Sequence, residues 1–289
     1  TNYYDGLIDD VSVFNTALDS TQIQELFADG VALDATTHSK SANLIGYWRN
    51  DGVTQWIDRS TNSNHGTVNP TDGSVKSITI REGLNSNKDG LGFPLTNPSS
   101  NVLRLNGSTE YINVGSSASL DKIFSQGGGT VEAWIKPFSD GENNLGRIFD
   151  KSTATSGADG WHLLVQGESN SKVELRFSHL FSGSQPQWDS SLDVILNKWN
   201  HVALTYDNSS TSNNPIMYID GESVTVTENT APSGSAGDDS SQDLYIGNNA
   251  GTERAFDGII DEARLYNRIL SASEILKNYK HQKGKHKND

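Results

Sequence analysis

A segment that occurs twice constrains the fold of this chain more than any other feature of its sequence. Residues 4–27 (YDGLIDDVSVFNTALDSTQIQELF) align without gaps with residues 256–279 (FDGIIDEARLYNRILSASEILKNY), and seven of the 24 aligned positions are identical. Each copy has an aromatic residue, an Asp-Gly turn, a strand pattern and a short helix with a capping sequence. One strand and a short helix cannot bury their apolar faces alone, so each copy must pack against a larger β domain.

The two copies also predict the domain boundaries. The second copy closes a domain, whereas no domain precedes the first. We therefore expect residues 1–30 to be the terminal strand and helix of a preceding copy, residues 31–43 to be a polar linker, and residues 44–280 to form the main domain. The basic residues 281–289 are expected to be a frayed, solvated tail. The alternative for residues 1–30 is a strand that pairs with another chain, which is less favoured because an exposed strand edge is a hazard.

The main domain has the signals of an all-β fold. Short apolar runs with alternating residues recur between turn sequences over residues 102–266, and Asp220-Gly221 stands between two such runs, as in a β-hairpin. Residues 272–281 are the only segment that predicts a helix convincingly, and residues 69–100 predict a loop-rich insertion. Many short strands with one terminal helix are typical of a β-sandwich or jelly roll.

Seven stretches of the main domain resemble the laminin-G-like domains of the concanavalin A-like lectin jelly roll superfamily, and they occur in the family's order. These stretches are residues 44–48, 58–66, 103–114, 130–137, 198–207, 217–221 and 256–268. The resemblance implies an antiparallel β-sandwich with one concave and one convex sheet and a short C-terminal helix. Residues 44–112 also resemble domains of marine phage structural and adhesion proteins.

Charge and composition exclude several function classes. The net charge is −14, and an acidic surface repels nucleic acid, so no nucleic-acid partner is expected. The chain has no Cys, which excludes disulfides and thiolate catalysis. No run of 18 apolar residues occurs, so no membrane insertion is expected. The abundant carboxylates suit divalent cations, although most of them are expected only to maintain solubility.

An enzymatic role is not expected. Catalytic relatives with this fold carry two carboxylates on one strand in a Glu-x-Asp-x-x-Glu pattern, and this chain has no such pattern. Asp257, Asp261 and Glu262 are the densest group of strand carboxylates. Strict alternation along a strand predicts that Asp261 and Glu262 face opposite sides. His162, His179 and His201 are scattered over different strands, where a hydrogen-bonded core or rim histidine is the expected role.

A structural calcium site is predicted from the resemblance. In the family such sites are often built where the first and last strands of the domain meet. Asn106 and Glu110 occupy first-strand positions where the family usually has Asp, and Asp261 retains the last-strand acid. These three residues, completed by backbone carbonyls, form the predicted ligand set. The alternative for Asp261 is that it only caps backbone amides. Further loop acids are Asp140, Glu142 and Asp150.

A glycan site is predicted from exposed aromatic and amide side chains, since sugar rings stack on aromatic faces. Trp188 lies in the polar stretch GSQPQWDSS and is interpreted either as a binding platform or as a residue packed over the sheet. Trp161 and His162 begin a strand after a loop and are candidates for the same rim. Asn248 is a candidate for amide contacts with sugar hydroxyls.

These observations favour a non-catalytic recognition or adhesion module, displayed on a virion or another extracellular surface. The predicted partners are a glycan or a surface protein, together with other copies of the domain or virion subunits. One alternative is a purely structural virion decoration or fibre component without a ligand. Another is a targeting module of a polysaccharide-degrading enzyme, which an upstream catalytic domain would reveal.

Overall fold

The computed structural model describes residues 44–49, 55–58, 62–69, 76–80, 100–125, 127–153, 159–286 and 288. The predicted remnant of a preceding domain at residues 1–30 and the linker at residues 31–43 lie outside the described residues. Both therefore stay predictions from the sequence. Within the described part of the chain, no helix is long and apolar enough to span a membrane.

The described residues form eighteen β-strands, one 3-10 turn at Glu142–Asn144 and one α-helix. The strands in chain order are β1 Leu44–Arg49, β2 Gln55–Asp58, β3 Gly66–Asn69, β4 Lys76–Ile80, β5 Ser100–Asn106, β6 Tyr111–Gly115, β7 Gly129–Pro137, β8 Leu145–Ser152, β9 Gly160–Ser169, β10 Lys172–His179, β11 Gln187–Ser190, β12 Val194–Ile195, β13 Asn200–Tyr206, β14 Ile216–Ile219, β15 Glu222–Ser223, β16 Val226–Thr230, β17 Leu244–Ile246 and β18 Asp257–Tyr266. The helix, α1, is Ala272–Gln282.

All described strand pairs are antiparallel, and they form two sheets that pack as a sandwich. In sheet A, β4 pairs with β5, and β5 and β1 both pair with one edge of β18. The other edge of β18 pairs with β7, and the order continues through β13, β14 and β15. In sheet B the order is β2, β3, β6, β17, β8, β9, β10, β11 and β16, and β12 extends the β11 side of β10. The predicted antiparallel β-sandwich is confirmed.

The core lies between the inner faces of the two sheets. Alternate residues of neighbouring sheet B strands point into it, among them Leu163 and Val165 of β9 and Leu175 and Phe177 of β10. Period-two alternation sends their sequence neighbours to the outer face of sheet B. The position of that outer face is therefore set by the apolar half of each strand.

Helix α1 covers part of the outer face of sheet A, on the opposite side of the molecule from sheet B. Its N-cap is the predicted capping box, in which the Ser271 hydroxyl accepts from the Glu274 backbone N–H and Glu274 accepts from the Ser271 backbone N–H. Ile275 packs with Tyr218 and Tyr266 of the sheet. The predicted bounds of 272–281 are confirmed to within one residue.

Two further local predictions have clear outcomes. Asp220 and Gly221 join β14 to β15 with φ angles of 52° and 82°, which are the left-handed values that this hairpin turn requires. The predicted loop-rich insertion at residues 69–100 contains a strand that the sequence pattern did not indicate. This strand, β4, pairs with β5 along its whole length.

The expectation of a frayed, solvated tail is wrong for most of residues 281–286, of which only Lys283 and Gly284 are exposed. His281 and Gln282 are buried, and so is His286. The His286 ring stacks on Trp134 with a centroid distance of 4.2 Å and an interplanar angle of 8°. The tail docks because sheet A offers it buried carboxylates and an aromatic surface, neither of which can be recognised from the tail sequence alone.

Candidate functional site

A row of polar side chains crosses the outer face of sheet B. Backbone pairing aligns Tyr245 with Asp150, Asp150 with His162, His162 with Ser178, and Ser178 with Gln187. Residues directly opposite each other in neighbouring strands lie on the same face, so these five side chains form one continuous line, the outer row. The row crosses β17, β8, β9, β10 and β11.

A second line runs beside the outer row and carries the charges of the face. Arg147 of β8 and Arg176 of β10 both pair with Leu164 of β9, so the two arginines lie on either side of this leucine. Arg176 binds Asp189 in a bidentate pair, with Nε 2.6 Å from Oδ1 and Nη2 2.8 Å from Oδ2. The Nε atom of Arg147 lies 2.9 Å from Oδ2 of Asp150. Each guanidinium therefore has its own carboxylate.

Gly160 fixes where the central strand of this face begins. Its φ angle is +95°, and a Cβ at this position would lie 2.0 Å from the carbonyl oxygen of Lys151. Only glycine avoids that clash, since both the conformation and the close approach exclude a side chain. This close packing of β9 against β8 sets His162 opposite Asp150.

Five buried polar atoms of this face make no hydrogen bond in the described part of the chain. They are Nε and Nη1 of Arg147, Oδ2 of Asp150, Nδ1 of His162 and Oγ of Ser178, on three neighbouring strands, and Nε and Oδ2 face each other as an ion pair. A buried polar group left unsatisfied costs about 1–3 kcal/mol, and native structures keep few such groups. These atoms have almost no accessible surface, so they make the layer beneath the face polar, and the ligand-accessible polar groups are the half-buried side chains of the row, His162, Gln187 and Tyr245.

Asp150, His162 and Ser178 include the residue types of a catalytic triad, but their contacts are not those of a triad. Among the described residues, neither the Ser178 hydroxyl nor Nδ1 of His162 makes a hydrogen bond. Oδ1 of Asp150 accepts instead from the backbone N–H and the hydroxyl of Ser152. A nucleophile must hydrogen-bond to its base, and the base to its orienting carboxylate. The arrangement therefore favours binding over nucleophilic catalysis.

Burial sets the charge states of the row. It raises the pKa of Asp150 to about 6, although the neighbouring Arg147 acts in the opposite direction. Burial also lowers the pKa of His162 well below its usual range, and the positive charges of Arg147 and Arg176 lower it further. His162 is therefore a neutral imidazole at neutral pH, with one nitrogen that donates and one that accepts.

An aromatic pair lies at the β17 end of the outer row. The rings of Tyr111 and Tyr245 are tilted by 59° with centroids 5.6 Å apart, and both side chains are half-buried. Asn113 aligns with Tyr245 in the register and donates from Nδ2 to Oδ2 of Asp243 at 3.1 Å. Half-exposed tyrosine rings beside amide and carboxylate groups offer both stacking and hydrogen bonds.

Of the four predicted ligand residues, only His162 lies on this face. Trp188 is fully buried, stacks on Phe177 at 5.8 Å and donates from Nε1 to Oδ1 of Asn214 at 2.9 Å. Trp161 is also fully buried and packs edge-on against Phe124. Both indoles point inward because they occupy core positions of alternating strands. Neither is exposed as a binding platform in this structure, because both belong to the core between the two sheets.

Asn248 is also not a surface ligand. It is fully buried, and its Oδ1 accepts from the backbone N–H groups of Asn249 at 2.8 Å and of Arg254 at 3.0 Å. Its side chain therefore organises the loop before β18. Polar composition alone did not distinguish an amide that holds a loop from one that is free to contact a sugar.

The predicted calcium ligands are not assembled around Asp261. Asn106 aligns with Asp257, four residues earlier on β18, which is about 13 Å along a strand. Oε2 of Glu110 accepts from the Asn106 backbone N–H at 2.6 Å. No group of three or more His, Asp or Glu side chains in the described residues is placed to hold a metal ion. Structural calcium stays a prediction.

The carboxylates of Asp261 and Glu262 face the same side, contrary to the alternation argument. A β-bulge interrupts the pairing of β18 with β7 between Asp261 and Arg264, and Glu262 has a φ angle of 52°. A bulge inserts one residue and reverses the alternation. Nζ of Lys285 consequently lies 2.8 Å from both Oδ2 of Asp261 and Oε1 of Glu262.

These carboxylates belong to a buried ionic cluster beneath α1. Arg264 donates to Oε1 of Glu132 at 2.9 Å and to Oε2 of Glu262 at 2.8 Å. Burial alone would raise the pKa of Glu132, but His201 and Arg264 outweigh it and lower that pKa to about 2. For Asp261, Lys285 and His286 likewise overcome burial and hold the pKa near 2. The cluster is charge-paired internally, which indicates a structural role.

The ammonium group of a buried lysine lies where three oxygen atoms of the protein converge. The fully buried Lys151 donates from Nζ to the carbonyl oxygens of Asp239 at 2.7 Å and Gln242 at 2.6 Å, and lies 3.1 Å from Oδ1 of Asp121. Carbonyl and carboxylate oxygens of this kind are also calcium ligands. Here the protein supplies the positive charge from its own side chain.

Sequence reasoning missed most of the outer face. Arg147, Arg176, Asp189 and Tyr245 were not among the candidates, and Asp150 was interpreted as a loop acid, whereas it lies in β8. The alternation of apolar and polar residues in β8 to β11 could have indicated this face, since the polar residues of each strand lie on the side opposite the core. The cross-strand register that brings them together was not readable from the sequence.

The fold and the polar outer face define a lectin-like β-sandwich. The chain belongs to the concanavalin A-like lectin/glucanases superfamily, because the laminin-G family matches residues 106–276, more than half of the chain. The predicted laminin-G-like resemblance is thereby confirmed, whereas the comparisons do not support the resemblance to marine phage proteins. No curated protein sequence matches the chain.

Solved structures with this fold include several binding domains. The binding domain of Paraclostridial Mosquitocidal Protein 1 has a TM-score of 0.55 and 17% identity, over 83% of this chain and 52% of that chain. The ligand binding domain of botulinum neurotoxin serotype D, in complex with N-acetylneuraminic acid, has a TM-score of 0.54 and 17% identity, over 84% and 52%. This chain thus spans about half the length of the two toxin domains.

This chain covers almost the whole length of the third similar structure. Domain 4 of an extracellular arabinanase from Geobacillus stearothermophilus, in complex with arabinotriose, has a TM-score of 0.52 and 19% identity, over 82% of this chain and 98% of that one. At these identities the similarity establishes the fold alone. The three structures are themselves binding domains or sugar complexes.

Proposed function

We propose that this chain is a non-catalytic glycan-recognition module of an extracellular or surface protein, and that it binds its ligand on the outer face of sheet B. The observation that carries the proposal is the outer row, in which Tyr245, His162 and Gln187 are half-buried and reach the surface. Sugar hydroxyls both donate and accept hydrogen bonds, so one ligand can contact these three side chains together. The Tyr111–Tyr245 pair adds a surface for stacking on a sugar ring.

The similar structures support a sugar as the ligand class. Two of them hold sugars, N-acetylneuraminic acid in a toxin domain and arabinotriose in an arabinanase domain. The arabinanase domain also favours the second candidate function, a targeting module of a polysaccharide-degrading enzyme, because this chain covers nearly all of that domain. The full-length sequence separates the two, since a catalytic domain on the same chain would identify a targeting module.

A glycan array tests the proposal, with the wild-type protein in calcium and then in chelator. We expect binding to a defined set of glycans, and a loss of about tenfold in affinity for His162→Ala, because a hydrogen bond to the ligand is removed. Lys283→Ala is the matched control, since this exposed lysine belongs to the tail on sheet A. Loss of binding in chelator alone would support the predicted calcium.

Two results would contradict the proposal. Folded protein that binds no glycan in either condition would favour a purely structural component, such as a fibre or decoration subunit. Binding that His162→Ala leaves unchanged would exclude the outer face of sheet B as the site. Each variant is checked first for an unaltered unfolding midpoint, so that misfolding is not mistaken for lost recognition.

A further inference from the structure

We propose that the outer face of sheet B selects an uncharged oligosaccharide laid across the strands, and that it discriminates against acidic sugars. This inference rests on the proposed function and deepens it, because it names the ligand class. It follows from three properties of the face: its charge pairing, its supply of both donors and acceptors, and its length.

The charges of the face are matched pairwise. Arg176 is bound bidentately by Asp189, and Arg147 lies 2.9 Å from Asp150. Glu174 adds a further carboxylate on the same face, where it accepts from Gln166 at 3.4 Å. An acidic sugar would therefore meet an excess of negative charge, in a protein whose net charge is −14. Recognition of a carboxylate requires an uncompensated cation, and both arginines of this face are compensated.

The remaining hydrogen-bonding groups suit hydroxyls. The half-buried Gln187 amide both donates and accepts, and the half-buried, neutral His162 ring has one donor nitrogen and one acceptor nitrogen. Neighbouring sugar hydroxyls also donate and accept, so they match such a mixed surface. A carboxylate only accepts and would leave the acceptors of the face unsatisfied.

The length of the row favours more than one sugar unit. From β17 to β11 the row crosses four interstrand spacings, which is about 19 Å at ~4.8 Å per spacing. The half-buried Tyr245 at one end offers a ring for stacking, whereas the half-buried Gln187 at the other offers hydrogen bonds. A single monosaccharide would occupy only part of this line. Affinity should therefore increase with oligosaccharide length.

Calorimetric titration at neutral pH tests the inference. The probes are linear neutral oligosaccharides of increasing length, the matching uronate oligomers, and sialyllactose. We expect the neutral series to bind at least about tenfold more tightly than the acidic one, and its affinity to change less than about twofold between low and high salt. Tyr245→Ala should weaken the neutral series about tenfold, and Lys283→Ala should not.

A charge-neutralising test uses Asp189→Asn, which removes the negative charge that pairs with Arg176 and hardly changes the side-chain volume. The freed guanidinium should raise affinity for uronate oligomers about tenfold and make it salt-dependent. Tighter wild-type binding of acidic than neutral sugars would overturn this inference and leave the proposed function standing. Absence of binding to all probes would overturn both. Unchanged uronate affinity in Asp189→Asn would show that the charge pairing does not set the selectivity.

Discussion

Replacement of Lys285 by methionine is the sharpest test of the docked tail. Lys285 is the only described cation in contact with both Asp261 and Glu262, at 2.8 Å from each. Both carboxylates are almost completely buried, with side-chain exposures of 0% and 1%. Methionine keeps the length of the stem but removes the charge, so two buried carboxylates lose a shared counter-ion.

The expected cost is about 3 kcal/mol in the free energy of unfolding, at the lower end of the ~3–5 kcal/mol typical of breaking a buried ion pair. Two features keep the expected cost at the lower end of this range. Lys285 retains 15% exposure, which screens its charge, and Nε2 of His286 remains 3.0 Å from Oδ2 of Asp261. The change also weakens the hold of the tail on sheet A.

Urea unfolding, followed by tryptophan fluorescence, measures this cost. The midpoint should fall at an unchanged slope, because the exposed area on unfolding stays the same. Lys283→Met is the matched control, since Lys283 is exposed and lies 5.3 Å over the Tyr279 ring. Its effect should remain within about 0.5 kcal/mol. In the double variant with Asp261→Asn, the two costs should not add, because the residues are in contact.

Equal stabilities of Lys285→Met and Lys283→Met would refute the reasoning. In that case the tail would be solvated, as the sequence first suggested. Strict additivity with Asp261→Asn would contradict the ion pair itself, even if Lys285→Met were destabilising.

Two other predictions concern stability. Acid titration should lower the free energy of unfolding from about pH 6.5, because the contributions of two buried histidines are lost and one buried carboxyl offsets only part of the loss. Burial lowers the pKa of His179 to about 4 and that of His162 well below its usual range, so both contributions are lost as the pH falls, whereas Asp150, with a pKa raised to about 6, contributes more. Between about pH 4.5 and 2 stability should fall more steeply, since Glu132 and Asp261 have pKa values lowered to about 2 and their stabilisation is lost as they protonate. Urea midpoints across this range measure the stability, and a slope no steeper below pH 4.5 than above it would contradict the assignment. Lys151→Met should cost about 3–5 kcal/mol, because it leaves two carbonyls and Asp121 without their ammonium partner. The matched control is Lys122→Met, whose ammonium pairs with Asp238 at the surface; equal stabilities of the two variants would exclude the buried lysine as a stabilising group.

Local patterns predicted the secondary structure because their causes are local. The Ser271–Glu274 capping box, the Asp220-Gly221 hairpin and the alternation of the strands each depend on residues a few positions apart. Those patterns, with the family resemblance of residues 44–280, were enough for the sandwich. They could not predict reliably which sheet face each side chain occupies. Trp188 lies in a polar stretch, which favours an exposed position until the inner side of its strand is known, whereas the structure buries it fully.

What the sequence alone determined about this protein is therefore its fold class, its terminal helix and its family. Only the tertiary structure decided the candidate site. Neighbouring residues of the outer row are 9 to 95 positions apart in the sequence, from Ser178 and Gln187 to Asp150 and Tyr245, and their alignment depends on backbone register. The bulge at Asp261 reversed the predicted alternation and turned two carboxylates towards Lys285. Register and bulges are set by how the whole sheet packs, and a single residue of slip sends every later side chain to the other face.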